Sequence, residues 1–190
     1  MLGILLAAGA SSRFGADKLR HALPHGVMIA VQAARHLRAA LPRVLAVVRP
    51  GQDELATALR AEGCEVVVCE RAADGMGESL ACAVRAAGAR EGYVIALADM
   101  PFIRPSTIVA VSEAIAGGAA IAAPYFHTRR GHPVGVSGRY AQRLERLTGD
   151  EGARSLLAEH AAQLTKIPVG DPGVLRDIDR PEDLARTPRA

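Results

Sequence analysis

The residues best placed to do chemistry stand at the amino terminus, where Leu5 to Lys18 reads L-L-A-A-G-A-S-S-R-F-G-A-D-K. An apolar run, Gly3 to Ala7, gives way to the small residues Ala8, Gly9, Ala10, Ser11 and Ser12, and then to Arg13, Gly15 and Lys18. This reads as a buried strand emptying into a Gly-containing loop that ends in fixed positive charge. Small residues let backbone N–H groups approach an anion closely, and the cations then neutralise it. The layout is that of a phosphate-binding loop. It is not the P-loop, because Gly15 is followed by Ala-Asp-Lys-Leu where Lys and Ser or Thr are required. Nor is it the dinucleotide fingerprint, because Ser11 stands where the second glycine should be. Lysine occurs only at positions 18 and 166, so Lys18 stands out in its loop.

Other candidates lie further along. Asp99 closes an apolar run and is followed by Met100-Pro101. A carboxylate there can hold a hard cation shared with substrate phosphates, or cap the turn before the next helix. Asp177 and Asp179 flank Ile178 near the carboxyl end, and Asp179 can equally cap a final helix that has Pro181 in its first turn. His132 by itself reads as a hydrogen-bonded loop histidine. His21, His25, His36, His127 and His160 have no metal-ligand spacing. No Ser/His/Asp order suggests nucleophilic catalysis. Cys64, Cys69 and Cys82 form no C-x-x-C and are odd in number, so they read as space-filling residues rather than a disulfide framework or zinc site.

The amino-terminal string resembles L-A-A-G-x-S-x-R-x-G-x-x-K, the signature of MobA-like nucleotidyltransferases, which include the molybdenum cofactor cytidylyltransferases. The resemblance covers almost the whole chain. L-A-D-M-P at Leu97–Pro101 is similar to the family's metal motif, and Gly75-Met76-Gly77-Glu78-Ser79-Leu80 to its G-M-x-x-S-L segment. The stretches Arg130–Gly135 and Gly149–Arg154 resemble its later, acceptor-side motifs. The resemblance implies phosphate neutralisation by Lys18 and Arg13. It implies nucleotide contacts from Leu6, Ala7, Ala8, Gly9, Ser11, Gly75 and Ser79, and Mg²⁺ held by Asp99 and Asp179. Arg130, His132 and Arg154 would hold the acceptor. The implied reaction moves a nucleoside monophosphate from an NTP to a phosphorylated acceptor and releases pyrophosphate. The L-A-A-G form is closer to the cytidylyl branch, hence CTP and molybdopterin, with a molybdoenzyme as possible client. A sugar-phosphate acceptor, or a pterin carrier without turnover, are the competing expectations. The chain departs from the family pattern after Lys18, at Cys69 and at Ala83.

The elements that must position these groups follow from hydrophobic patterning. A helix is expected over about 27–40, stopped by Pro42. Strands are expected over 44–48, 64–69 and 93–98, with helices over 54–61, capped by Asp53, and 77–87. Pro105 should open a fourth helix, followed by a strand over 119–123. Later come a short strand over 134–136, helices over 140–147 and 153–162, a strand over 164–169, and a strand through Leu175–Asp179 before a helix begun by Pro181. Continuous apolar strands alternating with helices imply a mainly parallel sheet covered on both faces. Together with the resemblance this is a three-layer α/β/α Rossmann-like sandwich of the nucleotide-diphospho-sugar transferase type, expected as one domain over residues 1–190. Ligands bind such sheets beyond the carboxyl ends of the strands, where the loop and Asp99 would both lie.

Bulk properties agree. A net charge of +3 in 190 residues, with few aromatics, suits a phosphate-rich small molecule and not nucleic acid. The start of the chain only faintly imitates a signal peptide, having no charged n-region, and no apolar run is long enough to span a membrane. The cytoplasm is the expected location.

Overall fold

The structure is a computed structural model and describes residues 1–9 and 17–184. Among these, eight strands form one sheet. β1 (Leu2–Leu6), β2 (Val44–Val48), β3 (Glu65–Val68) and β4 (Gly92–Leu97) are parallel, in the order β3-β2-β1-β4. β7 (Val134–Ser137) then runs antiparallel to β4, with Tyr93 opposite Val136. β5 (Ile121–Phe126) pairs antiparallel with β7 and with β6 (Arg129–Arg130), and parallel with β8 (Leu164–Pro168).

Side-chain alternation along the central strands builds both halves of the core. Leu5 and Ala7, Val44, Ala46 and Val48, and Val94 and Ala96 face one way. There they meet α1 (Ile29–Ala40), α2 (Asp53–Ala61) and α4 (Pro105–Ala116). Leu2 and Ile4, Leu45 and Val47, and Tyr93 and Ile95 face the other way. They pack on α3 (Met76–Ala87), α5 (Ala141–Glu145) and α6 (Arg154–Glu159). The result is the expected three-layer, mostly parallel α/β/α sandwich. No helix among the described residues is long and apolar enough to cross a membrane.

Several local expectations are corrected. β3 is an edge strand, and Val68 is left 43% exposed, because the strand pairs on one side with β2. Asp53 does not cap α2 but begins it. Gln52 is the cap residue, and its side-chain carbonyl accepts from the Arg49 N–H (3.1 Å). β5 continues past Ala123 to Phe126 and turns through His127, at φ +54°, into β6. Leu175–Asp179 is not a ladder strand, because three-residue-per-turn helices at Pro172–Leu175 and Pro181–Leu184 bend the chain on either side of it. The fifth and sixth helices are shorter than patterning suggests, each bordered by a tight turn, Gly138–Tyr140 before α5 and Gly149–Glu151 before α6. The cysteines are free, with Cys64 and Cys69 buried and Cys82 half-buried.

The carboxyl-terminal segment is tied to the start of α4 by Asp171, which is 3% exposed. Its carboxylate accepts from the Arg104 N–H (2.8 Å) and Thr107 Oγ1 (2.8 Å) at the start of α4, and from the Gly173 N–H (3.0 Å). A negative charge at this helix start is also favoured by the helix dipole. Gly173 has to be glycine, since a Cβ there would sit 2.2 Å from the Phe102 carbonyl oxygen. Asp171→Ala leaves buried donors unpaired and is expected to cost about 3 kcal/mol, read as a lowered urea midpoint at unchanged slope.

Candidate active site

The ends of the four parallel strands surround a cavity of about 550 Å³. β1 leads to Ala8 and Gly9, β2 to Arg49 and Pro50, β3 to Glu70, and β4 to Asp99, and all of these line it. α3 contributes Met76 and Ser79 from the far side, together with Gly75. Gly75 adopts φ +121°, and a Cβ on it would lie 2.4 Å from the Gly149 carbonyl oxygen, so the start of α3 sits directly against the segment carrying Asp150. Ser79 is buried, and its hydroxyl lies 3.4 Å from the Gly75 carbonyl oxygen that it donates to.

Lys18 opens a short 3-10 turn, Lys18–Arg20, whose next residue Leu19 is buried in the core. The lysine is itself only 9% exposed. Its Nζ donates to Asp99 Oδ2 (3.0 Å) and to Asp179 Oδ1 (2.9 Å). Burial works against the ammonium. The charges of Asp99 and Asp179 and their hydrogen bonds outweigh it, so the lysine pKa is raised and the cation persists. Asp99 comes from the end of β4, and its backbone carbonyl accepts from the Ile178 N–H (2.9 Å). Ile178 is fully buried with Leu23 and Ile29, which brings Asp179 to the lysine. The Asp183 carboxylate accepts from the Asp179 and Arg180 N–H groups (3.0 and 2.9 Å) and fixes that turn. Asp99 Oδ1 is buried with no hydrogen-bond partner among the described residues.

The donor set fits a hard divalent cation of the Mg²⁺ type. Two carboxylates converge, one with an unused buried oxygen. No group of three or more His, Cys, Asp or Glu among the described residues could hold a metal. A cation there would complete its coordination with ligand oxygens and water, as Mg²⁺ commonly does.

Of the residues singled out from sequence, Leu6, Ala8, Gly9, Lys18, Gly75, Ser79 and Asp99 line the cavity. Asp179 joins through Lys18 and also borders a second cavity of about 420 Å³, with Leu175, Arg176, Asp177, Arg180 and Asp183. Ala7 does not line the cavity; its side chain is fully buried in the core. Ser11 and Arg13 lie outside the described residues. Arg130 is exposed on β6 and Arg154 exposed at the start of α6, and neither they nor His132 line the first cavity. Arg49, Glu70 and Asp150 do line it and were not singled out. Their signal is position: Arg49 and Glu70 fall just beyond apolar strand runs. A relay supports this rim, in which buried Gln52 bonds both the Arg49 N–H and, at 3.3 Å, Asp17 Oδ2.

A family model of the MobA-like NTP transferase domain matches residues 3–164. The chain belongs to that family. It is similar to the purine catabolism protein PucB of Bacillus subtilis (strain 168), with 30% identity over 202 residues, 100% of this chain and 97% of that protein. It is also similar to nicotine blue oxidoreductase of Paenarthrobacter nicotinovorans, 26% identical over 193 residues, 97% of this chain and 94% of that one. The fold matches Rv0371c of Mycobacterium tuberculosis H37Rv, solved in complex with manganese. That match has a TM-score of 0.80 at 24% identity and covers 97% of this chain and 95% of that one. In this MobA-like chain the loop after β1, the end of β4 and the carboxyl-terminal turn meet at one point, Lys18 Nζ.

His132 lies in the chain between β6 and β7, with its Nδ1 buried and unpartnered among the described residues. Burial, seconded by the Arg130 charge and opposed by Asp177, lowers its pKa to about 4. The folded protein therefore keeps this imidazole neutral while the unfolded chain protonates near pH 6.5. The stability it permits is intact above about pH 6.5 and falls as pH drops towards 4, by up to ~3 kcal/mol. Urea titrations across that window should show a steeper loss in the wild type than in His132→Gln.

Proposed function

We propose that this chain is a metal-dependent nucleotidyltransferase, a single catalytic domain over residues 1–190. A phosphate oxygen of the acceptor attacks the α-phosphorus of a nucleoside triphosphate. The new P–O bond forms as the bond to the bridging oxygen breaks, and pyrophosphate leaves with that electron pair. The observation that carries the reading is the Lys18 ammonium held between Asp99 and Asp179 on the wall of a nucleotide-sized cavity. Phosphate is already ionised at neutral pH, so the acceptor needs no strong general base. The protein's task is positioning and charge neutralisation.

Lys18 and the backbone at Ala8 and Gly9 receive the triphosphate, with Arg13 as a further cation. Ser79 and Gly75 contact the nucleoside. Asp99 and Asp179 hold the divalent cation, which neutralises phosphoryl oxygens when bound. Manganese in the Rv0371c structure supports a divalent ion here. The L-A-A-G form of Leu6–Gly9 supports CTP, and with it molybdopterin as acceptor. The cavity beside Asp179 offers the acceptor an approach, with Arg176 and Arg180 on its wall; Arg130 and His132 are assigned to the acceptor from their motif. Arg154 is assigned to the acceptor only by its motif.

Pyrophosphate release with a panel of NTPs and acceptors, under Mg²⁺ or Mn²⁺, tests this. CTP with the pterin should turn over. A sugar nucleotide as the only product would replace the acceptor, and tight pterin binding without pyrophosphate would make the protein a carrier. Lys18→Ala and Asp99→Asn should each lower turnover by roughly 10²–10³-fold while the thermal transition remains cooperative. Full activity in Lys18→Ala would remove the proposed mechanism.

A further inference from the structure

The contacts of Lys18 carry a consequence for how the metal enters. Its ammonium occupies the point on which Asp99 and Asp179 converge, at 3.0 and 2.9 Å. An ion of the Mg²⁺ class would need the same oxygens at ~2.1 Å. Ammonium and metal cannot share that point: both are cations, and a metal kept clear of the ammonium has Asp99 Oδ1 to bind but loses the two oxygens on which the carboxylates converge. The lysine is also well anchored there, being mostly enclosed, with an 11% exposed side chain and two charge-assisted hydrogen bonds. Yet Lys18 lines the large cavity as well, so its ammonium lies within reach of whatever fills it.

We propose that Lys18 substitutes for the divalent cation in the nucleotide-free protein, so that metal is taken up only together with a triphosphate, whose oxygens receive the displaced ammonium. This rests on the transferase reading and deepens it. Without nucleotide, an entering metal must strip Lys18 of two carboxylate partners and leave a buried ammonium unpaired. With a triphosphate, the lysine exchanges one set of anionic oxygens for another. The metal, shared between the carboxylates and the phosphates, then joins the two sets. Each ligand therefore assists the other, and the metal–nucleotide complex is the species that binds. Such reciprocity is thermodynamic coupling between two ligands.

The test is Mn²⁺ binding to the full chain, by electron paramagnetic resonance, with and without a non-hydrolysable CTP analogue bridged by α,β-methylene. The wild type should bind Mn²⁺ alone weakly and at least about tenfold more tightly with the analogue. Lys18→Met should bind Mn²⁺ alone about tenfold more tightly than the wild type, because no lysine ammonium competes with the metal there. Equal Mn²⁺ affinity in the two proteins without analogue would overturn the exchange. Pyrophosphate release by the wild type alongside that result would leave the transferase reading standing. Failure of the wild type to bind Mn²⁺ or analogue in any combination would overturn both. A second measurement needs no variant. Lysine-selective labelling yields two side-chain signals, Lys18 and Lys166. Mg²⁺ alone at millimolar levels should leave the Lys18 signal in place, and Mg²⁺ with analogue should move it. Displacement by Mg²⁺ alone would overturn the exchange even if Lys18→Met does not fold.

Discussion

One ammonium bound by two carboxylates organises the catalytic edge of this fold. The partners are 81 and 161 residues away along the chain, so the contact closes the amino-terminal loop, the middle of the sheet and the carboxyl-terminal segment onto one point. Charge balance in a partly dry setting makes that closure mutual. Removing the lysine leaves two nearby carboxylates in repulsion, and removing either carboxylate weakens the hold on a buried cation. Each arm is set by packing outside the cluster: Leu19 anchors the lysine turn in the core, and Ile178, wedged beside Leu23 and Ile29, carries Asp179 inward.

The parallel half of the sheet was readable because strands buried on both faces appear as unbroken apolar runs. Val44–Val48 was located to the residue for that reason. Direction and neighbours are not written in such runs. Nothing local in Val134–Ser137 says that it runs antiparallel between β4 and β5, since a short buried strand looks the same either way. The β5–β6 hairpin was missed because its turn contains His127 at positive φ, where a glycine or asparagine would have signalled the bend. The exposure of β3 depends on which strand is outermost, a property of the whole sheet rather than of Cys64–Cys69.

The site divided along similar lines. Lys18 was legible from its spacing behind Gly9, and Asp99 from its place at a strand end. Asp179 was legible only through resemblance, because its approach to Lys18 depends on two helical turns, Pro172–Leu175 and Pro181–Leu184, that bend the chain back over β4. The resemblance gives Ala7 to the nucleotide with its neighbours; strand alternation turns its side chain into the core, while Leu6 and Ala8 line the cavity. Arg49 and Glu70 went unmarked for want of a motif, although the rule that ligands sit beyond parallel strand ends points to both.

The cavity's chemistry follows from its charges more than from any single reactive group. Its wall combines aliphatic surface from Leu6, Leu19 and Leu97 with Lys18 and Arg49 on one count, and Asp99, Glu70 and Asp150 on the other. Among the described residues, acidic side chains thus offset the basic ones around this space. On the proposed function, carboxylates that repel a bare triphosphate attract one already carrying a divalent ion. The same arrangement explains why a lysine, with a compact charge on a flexible stem, suits position 18 better than arginine. Its ammonium can fill a metal-sized gap between two oxygens and still reach a phosphate, whereas a planar guanidinium is too broad for the gap.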